Sequence, residues 1–131
     1  SKPPHQVAVQ RMAVLSGIAW LSPSYLSVHP VYGPWISWRA VVILPDTEET
    51  PRLASVPVLP CHHCDSQCMP ALDTALCGTK TVDFASVRQS WKPWLAVRDA
   101  CKEGHAWRFC PDQIEYHYTA DVEVLRRIIS S

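Results

Sequence analysis

Excess charge of either sign is missing from this chain. Twelve basic residues face twelve acidic ones over 131 positions, and charged side chains make up 18% of the total. Holding a nucleic acid by phosphate neutralisation needs clustered surplus Lys and Arg, so no nucleic-acid partner is expected. No apolar run comes near the ~20 residues that a membrane helix requires, and no membrane insertion is expected. A signal-peptide layout is also absent, and the sequence opens on Ser1 rather than Met. That opening fits a processed or trimmed product whose targeting segment is gone, placed in the cytoplasm or a mitochondrion. Internal repeats and low-complexity tracts are lacking too.

The chain does have enough apolar material to fold. The hydrophobic fraction is 47%, and a chain of this length should bury roughly two-thirds of its unfolded surface. One domain spanning 1–131 is the expectation, and disorder is not. The surpluses are six Cys, six Trp and twelve Pro. An even Cys count raises the possibility of a secreted disulfide framework. Against it, a chain this long needs no staples and shows no secretion signal. Reduced thiols or bound metal is the favoured reading.

Along the chain, Pro3 and Pro4 suit a first helical turn. Val7, Met12, Leu15, Ile18 and Ala19 then recur at helical spacing, which predicts a helix ending near Leu21 with Gly17 tolerated inside it. Residues 24–34 read as irregular, punctuated by Pro30, Gly33 and Pro34. From Trp35 to Leu44 the β-branched and aromatic content predicts a strand buried on both faces. Residues 46–60 are polar and Pro-rich, an extended connection. Asp83 to Ala100 looks partly helical, and 111–129 is expected to hold a last helix with Val122, Leu125, Ile128 and Ile129 as its apolar face.

The Cys stretch at 61–77 carries the strongest local chemistry. Cys61-His62-His63-Cys64 supplies two thiolates and two imidazoles, and a C-x2-C pair can reach one tetrahedral metal. Cys68 and Cys77 complete a candidate set, although their spacing matches no common zinc module. The bacterial ferredoxin run C-x2-C-x2-C-x3-C-P is not reproduced either, because the third Cys comes one residue late and Met69 separates Cys68 from Pro70. Zinc, an iron–sulfur cluster and a loop of free thiols all stay open.

One segment goes beyond composition. His29-Pro30-Val31-Tyr32-Gly33-Pro34-Trp35, then Arg39 and Val41-Val42-Ile43-Leu44-Pro45, resembles the pattern H-P-x-F-G-x-W-x3-R-x-V-V-x-L-P of the CblC family of cobalamin-processing chaperones. Tyr32 for Phe is the one departure. Trp91-Lys92-Pro93-Trp94 with Arg98-Asp99-Ala100 is similar to that family's W-x2-W-x2-R-D-A, with one extra residue before Arg98. The run from Arg108 to Tyr116 resembles its R-Y-x2-E-Q-x2-Y.

The resemblance implies an α+β, flavin-reductase or nitroreductase-like fold, of which this chain covers only the C-terminal half. A second chain that completes the fold, or a larger complex, is the implied partner. The implied function is binding of cobalamin, with reductive removal of its upper axial ligand (decyanation or dealkylation) or trafficking of the cofactor. Reduced flavin or glutathione would be co-substrate. By the same resemblance His29, Tyr32, Gly33, Trp35, Trp91 and Trp94 line the corrin pocket, Trp94 below the cobalt face. Arg39 and Arg98 hold glutathione carboxylates, a bidentate task that suits guanidinium better than ammonium. The Cys stretch falls outside the CblC pattern but is similar to the Cys runs of the related epoxyqueuosine reductases and reductive dehalogenases. A structural reading stands beside each role: the Trp residues as core, the arginines in ion pairs. The rival function is a non-catalytic zinc- or iron–sulfur-binding subunit of a larger assembly.

Overall fold

The computed structural model describes residues 8–42, 45, 61, 64–65, 68–78 and 82–130. The expected opening turn at Pro3-Pro4, the connection at 46–60, and His62 and His63 lie outside them. The order is α1 (Val9–Leu15), β1 (Trp20–Leu21), β2 (Ser27–Val28), α2 (Cys68–Leu76), α3 (Phe84–Gln89), α4 (Lys92–Asp99), a 3₁₀ turn (His105–Trp107), α5 (Pro111–Thr119) and α6 (Val122–Ile129). Helices therefore dominate, with one two-stranded antiparallel sheet among the described residues. The molecule is α+β in that general sense. No described helix is long and apolar enough to cross a membrane.

The first helix stops earlier than its apolar spacing suggests. Gly17 adopts φ +67°, its N–H bonds the Val14 carbonyl at 2.9 Å, and the Ile18 N–H bonds the Ala13 carbonyl at 3.0 Å. This pair of bonds is a Schellman cap, which needs a residue in the left-handed region just past the helix. Gly17 ends the helix rather than interrupting it. The chain then turns back through β1 and β2, where Trp20 pairs with Val28 and Leu21 with Ser27. Within the connecting turn Ser22 Oγ accepts from the Leu26 N–H at 3.0 Å, which satisfies a backbone donor beside buried Ser22 and Ser24.

No strand forms over 35–42, where one doubly buried was expected. Trp35 is buried, but Val41 and Val42 are 43% and 77% exposed. A buried strand needs ladder partners on both sides, and the described residues offer this segment none. A side chain anchors it instead: Trp38 Nε1 donates to Ser27 Oγ at 3.1 Å. Ile43 and Leu44 lie outside the described residues.

Half of the Cys stretch is helix rather than loop, because Cys68 opens α2. This helix packs on α4 through Cys68, Leu72 and Val97, joined by Leu26, Ala71, Ala75, Leu76, Trp94 and Ala100. At ~25 cal/mol per Å² of apolar burial, contact of this kind is the main stabilising contribution available to such short helices. The partly helical region at 83–100 resolves into α3, capped by the Asp83 carboxylate on the Ala85 and Ser86 N–H groups, and α4.

The single helix expected over 111–129 is two. Ala120 takes φ +53° and closes α5, and the Asp121 carboxylate accepts the Glu123 N–H at 2.9 Å to open α6. The break changes which face is buried. Val124 is the buried residue of α6, whereas Val122, Ile128 and Ile129 are exposed. Arg127 crosses from α6 to Asp112 (2.9 Å) and Glu115 (2.8 Å) on α5.

Candidate functional site

The His29–Gly33 turn is built from its own side chain. His29 and Gly33 exchange two backbone hydrogen bonds (2.9 and 2.8 Å), and His29 Nδ1 accepts the N–H groups of Val31 (3.1 Å) and Tyr32 (3.3 Å). Pro30 has no N–H to offer, so the turn tightens around the imidazole. Burial lowers the pKa of His29. The Tyr32 ring stacks on His29 at 4.7 Å and meets the edge of Trp107 at 5.0 Å.

Gly33 has a structural task. Its φ is +56°, and a Cβ there would overlap the Glu103 carbonyl. Gly104, at φ +68°, presses in the same way against the Tyr32 backbone. Two glycines thus let the 29–35 turn and the 103–107 turn touch backbone to backbone. Only residues without a Cβ allow both the left-handed conformation and that approach.

Next to this junction the rings of Trp35, Phe109, His117, Tyr118 and Trp91 form a continuous series with centroid separations of 5.6, 6.0, 5.2 and 5.6 Å. The sequence-selected Trp35 and Trp91 are its two ends. The guanidinium of Arg98, from the last turn of α4, lies 5.6 Å from the Trp35 ring centre, 6.0 Å from Phe109 and 5.7 Å from Tyr118. Its neighbour in sequence, Asp99, is engaged elsewhere. Arg108 donates to Asp99 through Nε (2.6 Å) and Nη2 (2.9 Å), and its guanidinium also faces Trp35 at 5.3 Å.

Arg98 is consequently left with buried donors and no acceptor. Its Nε and Nη1, together with Trp35 Nε1, are buried without a hydrogen-bond partner among the described residues. Burial lowers the Arg98 pKa against weaker support from Tyr118 and Asp99. An unmet buried donor costs about 1–3 kcal/mol, and more when charged. Native structures rarely carry three around one cluster of rings without a use.

Arg39 is exposed, yet it and Arg98 act on one group. Desolvation of the ring first, then the charges of Arg98 and Arg39, pushes the His117 pKa down to about 4, although the residue as a whole is exposed. Both arginines selected from sequence therefore act electrostatically on His117, but only Arg98 stacks on the rings. Trp94 stands apart from them. It packs in the α2–α4 core and borders a hollow of ≈ 380 Å³ with Leu76, Cys77, Val87 and Pro93. A second hollow of ≈ 320 Å³, lined by Phe84, Arg88, His117 and Tyr118, shares Val87 with it.

The structure sorts the four selected cysteines differently from their order in sequence. Cys61, Cys64 and Cys68 line one small cavity together with Cys101 and Glu103. Burial and then the neighbouring Cys64, Cys68 and Glu103 raise the pKa of Cys61. Burial is also the main cause that raises Cys101, to about 11. Cys77 lies past the far end of α2 and lines the ≈ 380 Å³ hollow. Among the described residues, no three Cys, His, Asp or Glu side chains are grouped tightly enough to hold an ion as they stand.

Sequence reasoning missed Phe109, His117, Tyr118 and Cys101. Phe109 lies inside the Arg108–Tyr116 run, and Cys101 directly follows Arg98-Asp99-Ala100, so adjacency to those motifs was the available signal. No protein family, curated protein or solved structure matches the chain.

Proposed function

We propose that this chain binds cobalamin, as one half of a flavin-reductase or nitroreductase-like domain that a second chain or segment completes, and serves removal of the cofactor's upper ligand or its transfer. One observation supports this most: Arg98 and Trp35 hold three buried donors without acceptors inside an aromatic enclosure. Such an enclosure fits a ligand with a broad apolar face and carbonyl or carboxylate acceptors at its rim. The corrin ring with its amide side chains has that composition, and so does the carboxylate of a glutathione co-substrate.

When bound, cobalamin supplies a reducible cobalt and an exchangeable upper ligand. The tasks of this chain are binding, orientation and exclusion of water. Arg98 and Trp35 donate to acceptors on the ligand rim. Exposed Arg39 receives a carboxylate in bidentate fashion. Trp91, Tyr118 and Phe109 provide rigid ring area that loses little entropy on binding. Trp94, in the adjoining hollow, offers a flat wall that keeps water from a ligand lying there.

The test is a visible spectrum of cyanocobalamin or methylcobalamin with the purified chain. A shift to the base-off form at protein well above micromolar is expected. An unchanged spectrum, with a large native mass, would favour the rival reading of a non-catalytic, metal-clipped subunit.

A further inference from the structure

The cavity between the β1–β2 turn and the ends of α2 and α4 lies outside the aromatic site, and the proposed cobalamin binding leaves it unused. Ser22, Ser24, Leu26 and Val28 form one wall; Cys61, Cys64, Cys68, Cys101 and Glu103 form the other. Four of the six cysteines of the chain thus line one small cavity, from three separate pieces of backbone. Each piece is held. Cys64 closes a turn on the Cys61 carbonyl (3.4 Å), Cys68 sits in the α2–α4 core, and the Cys101 N–H bonds the Arg98 carbonyl at 3.2 Å. An ion pair of 3.2 Å between Lys102 and Asp65 ties the Cys64 loop to the residue after Cys101.

We infer that Cys61, Cys64, Cys68 and Cys101 form a four-thiolate site for a single thiophilic divalent ion, of which zinc is the type. Four sulfurs, a lining without Lys or Arg and a C-x2-C pair on a loop are the donor set of a closed structural zinc site. The cavity measures ≈ 20 Å³. That is room for little more than one water-sized sphere between the four cysteines.

As they stand, these side chains are not grouped tightly enough to hold an ion, and metal centres commonly gather their ligands only on binding. Closure falls to the loop pair, since Cys64 is exposed and carried by no helix, whereas Cys68 is packed in the α2–α4 core and Cys101 is buried. Each thiol that ligates releases its proton to solvent.

Cys77 is excluded by distance along the helix. It lies nine residues beyond Cys68, about 14 Å along the axis at 1.5 Å per residue. Sulfurs sharing one zinc stand only about 4 Å apart, given Zn–S bonds of ~2.3 Å. The role expected for Cys77 from sequence passes to Cys101.

The experiment is metal analysis of the full chain purified under reducing conditions, followed by Co²⁺ titration of the metal-stripped protein. The wild type should carry one zinc per chain, and Co²⁺ should produce the thiolate charge-transfer bands of a tetrahedral site. Cys77→Ser should keep both. Cys101→Ser and Cys61→Ser should each lower metal affinity at least tenfold while the far-UV dichroism stays native.

Metal loss in Cys77→Ser with retention in Cys101→Ser would overturn the ligand set. Iron with acid-labile sulfide would overturn the single ion. A metal-free wild type, or one with fewer than six titratable thiols once denatured under chelator, would overturn the site altogether. Cobalamin uptake is read separately, so failure of one proposal leaves the other standing.

Discussion

Replacing Gly33 by Ala tests the junction between the 29–35 and 103–107 turns. Two costs can be worked out. Holding an L-residue at φ +56° costs about 1–2 kcal/mol. The new Cβ overlaps the Glu103 carbonyl, which is backbone and cannot rotate aside. Relieving an overlap of that kind by backbone shift typically costs about 1–3 kcal/mol. The sum, about 3 kcal/mol, should lower the urea midpoint by roughly 2 M for a slope near 1.5 kcal/mol per molar.

Gly78 is the control. It has φ +76°, but a Cβ there meets nothing within 4 Å among the described residues. Gly78→Ala should therefore show only the conformational cost, about 1 kcal/mol. Gly33→Ala and Gly104→Ala break the same contact, so the double variant should lose less than the sum of the single ones. The assay is urea unfolding followed by tryptophan fluorescence. Equal losses in Gly33→Ala and Gly78→Ala would refute the reasoning, since the two sites share their backbone conformation and differ in the contact.

Three more outcomes follow from the same geometry. Arg98→Met should stay within about 1 kcal/mol of wild-type stability, because lost ring contacts are offset by relief of the unmet donors. It should nonetheless abolish the cobalamin spectral shift; a loss above about 3 kcal/mol would show that the guanidinium is satisfied internally. His117 has a folded pKa of about 4, below the ordinary 6.5. The unfolded chain then takes up a proton first, so the wild type loses stability as pH falls from 6.5 toward 4, by on the order of 1 kcal/mol after solvent screening. Urea midpoints at pH 7 and pH 5 should differ more in the wild type than in His117→Gln, and equal differences would remove His117 as the source. Asp121→Ala deletes the cap of α6 and should cost about 1 kcal/mol in thermal unfolding; no change would mean α6 is held by its contacts to α5 alone.

What could be read from sequence was chemistry near its own motif. Trp35, Arg39, Trp91 and Arg98 stand out by local pattern, and Trp35, Trp91 and Arg98 belong to one ring-lined site, whereas Arg39 is exposed. Phe109, His117 and Tyr118 do not stand out. Their role exists only once α4 and α5 bring distant residues together, and no spacing rule encodes that. The same reason accounts for Cys101, and not Cys77, lining the cavity of Cys61, Cys64 and Cys68: sequence proximity favours Cys77, while a helix of nine residues carries it away. Helix ends were illegible where one residue decides them. Gly17 looks tolerable inside a periodic run, and Ala120 gives no left-handed signal of its own. The run at Val41-Val42 has strand propensity, which without a pairing partner produces no strand.

The hydrogen bonds inside the His29 turn also fix a proton. Nδ1 accepts two backbone N–H groups, so in the neutral ring the hydrogen belongs on Nε2. The turn therefore selects one tautomer of the imidazole, and the ring's one lone pair is spent inside the loop. To anything outside, His29 presents an N–H and no free nitrogen. It can donate to a carbonyl on a ligand's rim, but it cannot become an axial base to a metal unless the turn first opens.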